Sequence, residues 1–175
     1  MRFKPLACVI LSLLPFVAAG QPAEDEDAPS QWVETEVKLP SFPKPGSLIK
    51  FTPSAAASNE FFIDADSISV QTDGVVRYTL VIKSPGGAQN VSYEGIRCET
   101  REQKYYAFGR SDGTWMNARS AQWKRIEYRE VNRHHGVLYA DYMCPDRKRP
   151  RTAKEVVQQL KYGGAGKPSD YTAPP

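Results

Sequence analysis

Large apolar side chains occupy every second position from Val76 through Tyr78 and Leu80 to Ile82, with Arg77, Thr79, Val81 and Lys83 between them. Period-two alternation of this kind predicts a β-strand with one buried face. Ser84-Pro85-Gly86-Gly87 is turn chemistry, because proline fixes φ and glycine supplies positive φ. A return strand then leads to Cys98. In it Val91 and Tyr93 keep one parity and Ile96 and Cys98 the other. Gly95 stands at the change, where the pattern predicts a β-bulge.

Shorter runs flank this hairpin. Residues 47–51, 60–64 and 68–70 read as strands, with Asp64-Ala65-Asp66-Ser67 turning the chain between the last two. Thr72-Asp73-Gly74 is a hairpin turn. Residues 101–109 continue the sheet, Ser111-Asp112-Gly113-Thr114 turns it, and 123–128 supplies a last strand. Upstream, prolines at 40, 43, 45 and 53 favour extended backbone, and Trp32, Leu39 and Phe42 predict a strap that docks across the domain.

Beyond residue 130 the period changes. Val131, His135, Leu138 and Tyr142 recur at four, three and four, predicting a helix capped by Asn132 and stopped by Pro145. A second helix is capped by Thr152, has Glu155 in capping-box spacing, carries Val156, Val157 and Leu160 as its stripe, and ends at Gly163. The pattern as a whole predicts an α+β domain: an antiparallel β-meander of five to seven strands with two C-terminal helices packed on it.

The first 20 residues pair Arg2 and Lys4 with an apolar run from Leu6 to Val17 and small residues at 18–20, the layout of an export signal. The run is too short for a permanent membrane anchor, and no later segment is a transmembrane candidate. Cys8 precedes the apolar run, the wrong order for a lipoprotein cysteine. The expected organisation is a signal at 1–20, an acidic disordered linker at 21–37, a single domain at 38–162 and a disordered tail at 163–175. Removal of the signal leaves Cys98 and Cys144, which in an oxidising compartment predicts one disulfide.

Charge is distributed unevenly. From Val37 onward there are 21 Lys and Arg against 14 Asp and Glu, a net of +7, behind an acidic leader at 24–27. Much of the excess lies in Arg147, Lys148, Arg149 and Arg151, with Lys154 close by. Such a run suits either a solvated inter-helix loop or contact with anionic lipid or polysaccharide.

The sequence carries no complete catalytic set. Gly-x-Ser-x-Gly and Gly-rich phosphate loops do not occur. Asp64 to Val75 fails as a calcium loop at its sixth and twelfth positions, which are Ser69 and Val75. His134 and His135 are adjacent, about 100 degrees apart on a helix, so one metal does not readily take both. No metal and no cofactor is expected. The aromatic strand at 104–110 has the look of an RNA-recognition strand, but export removes RNA from reach and nucleic acid is not an expected partner. Glu94, Arg97 and Arg110 lie near predicted strand ends and are candidates for a polar site.

Residues 61–70, 73–78, 90–98 and 106–110, with Asn132-Arg133-His134-His135 and 139–145, resemble the cryptic neisserial protein-like family of small exported proteins of Gram-negative bacteria, mainly betaproteobacteria. The likeness runs from about Phe42 to Leu160. It implies a periplasmic or envelope location and supplies no catalytic residues. A more distant likeness, at the level of pattern, is to the surface-adhesin protein E type of domain. The expected function is a non-catalytic interaction module, with an envelope protein or an anionic envelope polymer as partner. Two alternatives are a small periplasmic hydrolase or lyase with a polar site at Glu94, Arg97 and Arg110, and an adhesin-like binder using the basic run at 147–154.

Overall fold

Seven strands, the first six in meander order, make one antiparallel sheet in the computed structural model, which describes residues 32–127 and 133–163. The strands are β1 (Leu48–Phe51), β2 (Glu60–Val70), β3 (Val75–Lys83), β4 (Gln89–Arg97), β5 (Glu102–Gly109), β6 (Trp115–Asn117) and β7 (Lys124–Arg125). The first six neighbour one another in chain order, and β7 pairs with β5 beside β6. All described residues belong to one compact unit that starts at Trp32. The expected signal, the acidic leader, the Asn132 cap and the tail from 164 lie outside the described residues.

The central hairpin forms as its alternation requires. β3 and β4 pair without interruption from Val75 opposite Arg97 to Lys83 opposite Gln89. Gly74 and Gly87 take φ of 78° and 83° in the two flanking turns, a region that suits glycine. One expectation needs correction: β3 is buried on both faces. Val76, Tyr78 and Leu80 face a helical layer, while Arg77, Thr79 and Val81, all at most 2% exposed, face the N-terminal strap.

The bulge also moves. β4 is regular through Gly95, and the register shift belongs to the β4–β5 pair, where Tyr93 and Glu94 face Ala107 and Tyr105 and leave Tyr106 as the extra residue. Val91 and Tyr93 against Ile96 and Cys98 therefore mark two buried faces of one straight strand. A second difference lies at 64–67. The chain does not turn there; β2 runs through as one strand with a register irregularity between Asp64 and Ser69. The Ser67 hydroxyl donates to the Asp64 carbonyl and accepts from the Thr79 amide, which satisfies the backbone at the irregularity.

The helical layer consists of α1 (Arg133–Val137), which widens into a π-helical stretch at Leu138–Met143, and α2 (Ala153–Gln158), which does the same at Gln159–Gly163. The Thr152 hydroxyl accepts from the Glu155 amide as a cap should, while the Glu155 carboxylate reaches back to the Arg151 amide. Leu138, Met143, Val156 and Leu160 join Ile63, Tyr78, Leu80, Ile96 and Ile126 in the main core, and His135 is buried as well. Cys98 and Cys144 are bonded, with Cα atoms 5.4 Å apart, and fasten the end of the first helix to the end of β4. No helix among the described residues is long and apolar enough to cross a membrane.

The strap closes the other face, and its docking begins within the 21–37 stretch read as linker. Trp32 donates its indole N–H to the Asp73 carbonyl at 2.8 Å, and Trp115 donates its own to the Pro40 carbonyl at 2.9 Å. Phe42 packs on Trp115. Leu39 remains 41% exposed, and Val37 joins Trp32 and Phe42 as an apolar anchor of the strap.

Candidate functional site

Glu94 lies in the middle of β4 in step with Ile96 and Cys98, so its carboxylate points into the helical layer. It has no exposed surface. Three side chains meet it. The Tyr78 hydroxyl donates to Oε2 at 3.1 Å from the adjacent position on β3. His135 Nε2 lies 2.7 Å from the same oxygen, delivered by α1. The Ser92 hydroxyl, two residues back on the same face, donates to Oε1. Burial pushes the Glu94 carboxyl up, but the His135 imidazole, the Ser92 hydroxyl and His134 together outweigh it. The pKa ends below the ordinary carboxylate value, so Glu94 is ionised at neutral pH. Burial and the Glu94 charge drive the Tyr78 phenol well above its usual value, which keeps it a donor.

His134 lies beside this cluster with its ring 4.1 Å from that of His135 and 5.4 Å from Phe61. Burial, and then the neighbouring His135, bring its pKa down to about 4, so it is neutral at pH 7. The strand register sets residues beside one another in front of it. Leu80, Ser92 and Phe108 are direct cross-strand neighbours, with Glu94 opposite Tyr105 one row along. Tyr105 stacks on Phe108 and meets His135 edge-on. A cavity opens over these rows.

The second face carries a separate polar clamp. Asp73 takes hydrogen bonds from the Thr35 amide and hydroxyl and from Arg77 at 2.6 Å. Glu34 takes them from Lys104 and from the Tyr106 hydroxyl, each at 2.7 Å. Burial pushes the Asp73 carboxyl up, while Arg77, Thr35 and the Val75 amide bring it down to about 2. This clamp holds the strap on the sheet.

The three residues read as a polar site are not brought together. Glu94 faces the helices. Arg97 faces the strap, its guanidinium 3.7 Å from the Trp32 ring centre and 3.4 Å from Glu102. Arg110 is exposed in the β5–β6 turn, where its amide donates to Thr114. Arg147, Lys148, Arg149 and Arg151 are exposed on the loop after Cys144. The disulfide holds that loop at the end of the sheet where β3 begins, with the Arg149 side chain beside Gly74. The exposed Lys124 and Arg125 of β7 pair with the start of β5 at the same end. Among the described residues no three His, Cys, Asp or Glu side chains converge as a metal-binding set.

Tyr78, Ser92 and His135 are site residues that sequence reasoning did not single out as partners of Glu94. The available signal was parity: a glutamate in step with Ile96 and Cys98 has to enter the core, and a buried carboxylate requires donors.

A family model described as the CNP1-like family matches residues 27–161. No curated protein and no solved structure matches the chain.

Proposed function

The chain belongs to the CNP1-like family, a family with no assigned activity, and from that premise we propose an exported, non-catalytic binding module that docks through its basic end on a phosphate-bearing envelope surface. The observation that carries this reading is the closure of the acid–base cluster. A general base has to come within hydrogen-bond reach of a substrate proton. Glu94 has no exposed surface and gives both oxygens to Tyr78, Ser92 and His135. That is how a buried structural carboxylate is held. Export, with the periplasm as destination, rests on the pattern of residues 1–20.

The basic end supplies the docking chemistry. Arg147, Lys148, Arg149, Arg151 and Lys154 are all exposed. Near an anionic membrane each such charge contributes about 1 kcal/mol of attraction, falling off within a Debye length. Sedimentation with vesicles tests this. The mature protein should pellet with phosphatidylglycerol–phosphatidylcholine vesicles at low salt and stay in solution with phosphatidylcholine alone. Arg147→Glu combined with Arg149→Glu should lower the partition coefficient at least about tenfold. Undiminished pelleting of that variant, or equal pelleting with both vesicles, would overturn the reading.

A further inference from the structure

A cavity of about 240 Å³ lies beside the helical layer, over the end of β3, the first half of β4 and the end of β5. Leu80, Ser92, Glu94, Tyr105, Phe108 and His134 are among the residues that line it. Its buried and half-buried polar groups, Ser92, Glu94 and His134, offer acceptors, while the exposed Asn90 amide both accepts and donates. The Ser92 hydroxyl hydrogen is committed to Glu94 Oε1, so what Ser92 has left is the lone pairs of its oxygen. Beside Ser92 the ionised Glu94 also borders the cavity, without surface exposed to water. His135 meets that carboxylate at its other oxygen and does not line the cavity. His134 is neutral, so its ring has one accepting nitrogen and one N–H. Tyr105 and Phe108, ring centres 5.3 Å apart, form an aromatic wall, and Phe108 is 38% exposed at the cavity rim.

Acceptor lone pairs, a buried negative charge and an aromatic wall together complement an organic cation with an apolar body. The volume, below the roughly 300–1,000 Å³ of sites for drug-sized ligands, suits a body of one aromatic ring or a short alkyl chain. We propose that this cavity binds a small primary ammonium compound. Its ammonium group donates to Ser92 Oγ in the field of Glu94, and its body lies on Phe108, Tyr105 and Leu80. An anion of the same shape meets lone pairs and a negative charge, and is rejected. A neutral alcohol keeps the apolar contacts but lacks the charge. The site shares no residue with the basic end, so the two can fail independently.

Titrating the ¹⁵N-labelled mature protein with three isosteres tests the assignment: phenethylamine, 2-phenylethanol and phenylacetate. Phenethylamine should give saturable amide shifts centred on Leu80, Ser92 and Phe108. The alcohol should bind about tenfold more weakly and phenylacetate should cause no saturable shift. Ser92→Ala should reduce amine affinity to that of the alcohol. That change also removes a donor from a buried carboxylate, so Phe108→Ala, at an exposed ring, is the companion variant. It should stay folded and weaken amine and alcohol alike by about tenfold. Equal binding of amine and carboxylate, shifts centred elsewhere, no saturation by phenethylamine up to about 50 mM, or unchanged affinity in folded Phe108→Ala would each overturn the proposal.

Discussion

At Gly95 the backbone of β4 passes under the Tyr106 ring so closely that a Cβ would stand 2.7 Å from the phenol oxygen and 2.9 Å from Val75 Cγ1. The ring cannot swing away without cost, because its hydroxyl is held by Glu34. Gly95→Ala therefore has to shift either the strap clamp or the β3–β4 pair. Overpacking of this kind costs about 1–3 kcal/mol. Gly46→Ala, where nothing lies within 4 Å of the added carbon, should change stability by less than about 0.5 kcal/mol. Urea titration of both variants checks the contrast, and equal midpoints would refute it. The same residue explains a misreading. A glycine at a change of parity signals a bulge when one face of a strand is solvated. Here both faces are buried, so apolar residues of either parity fit a regular strand, and the extra residue falls on β5 at Tyr106.

The strap is an element without regular secondary structure, held chiefly by one clamp. Asp73 receives Thr35 from the strap and Arg77 from the sheet, and its side chain and that of Arg77 are at most 2% exposed. Removing the charge leaves Arg77 only the longer contact with Glu34, at 3.6 Å, so Asp73→Asn should destabilise the protein by about 1–3 kcal/mol at pH 7. The pH dependence has a definite sign. The folded-state value of Asp73, about 2, lies below its ordinary 3.8. Its contribution is complete above pH 3.8 and is lost as the pH falls toward 2. Thermal melts between pH 5 and 2 should show that decline shallower in Asp73→Asn than in the wild type, and parallel curves would exclude the assignment. The course of the strap was legible from Trp32, Phe42 and the prolines. Its polar half was not, because Glu34 finds Lys104 and Tyr106 at separations of 70 and 72 residues, and no local pattern encodes such a pairing.

The Cys98–Cys144 bond cross-links the helical layer to the sheet. The chain-entropy model gives roughly 4 kcal/mol for a loop of this size, with native disulfides in small domains typically in the range of about 2–5. Cys98→Ser and Cys144→Ser should therefore lower the melting temperature by similar amounts, and the double variant should fall little further. Strict additivity of the two single effects would contradict a shared bond. Meander order, the two helices and the cysteine pair were readable because each follows from local periodicity, turn chemistry or a count. The Glu94 cluster was only half readable. Parity places the carboxylate inside, but His135 arrives from 41 residues away on a separate element.

The order of the strands also bears on the route by which the fold assembles. Each of the first six strands lies beside the one made just before it, so the sheet can grow hairpin by hairpin with short loops to close. The strap cannot. Its anchors reach from Trp32 to Asp73, from Glu34 to Tyr106 and from Pro40 to Trp115, across 41, 72 and 75 residues. Long loops close late, after the surface that rewards them exists. We therefore expect fluorescence of a variant retaining only Trp32 among its tryptophans to trail the far-ultraviolet circular dichroism during refolding. Coincident traces would place the strap in the nucleus instead. If it trails, the described segment that leaves the ribosome first is the last to settle, and until it does Arg77, Tyr93 and Tyr106 stand uncovered.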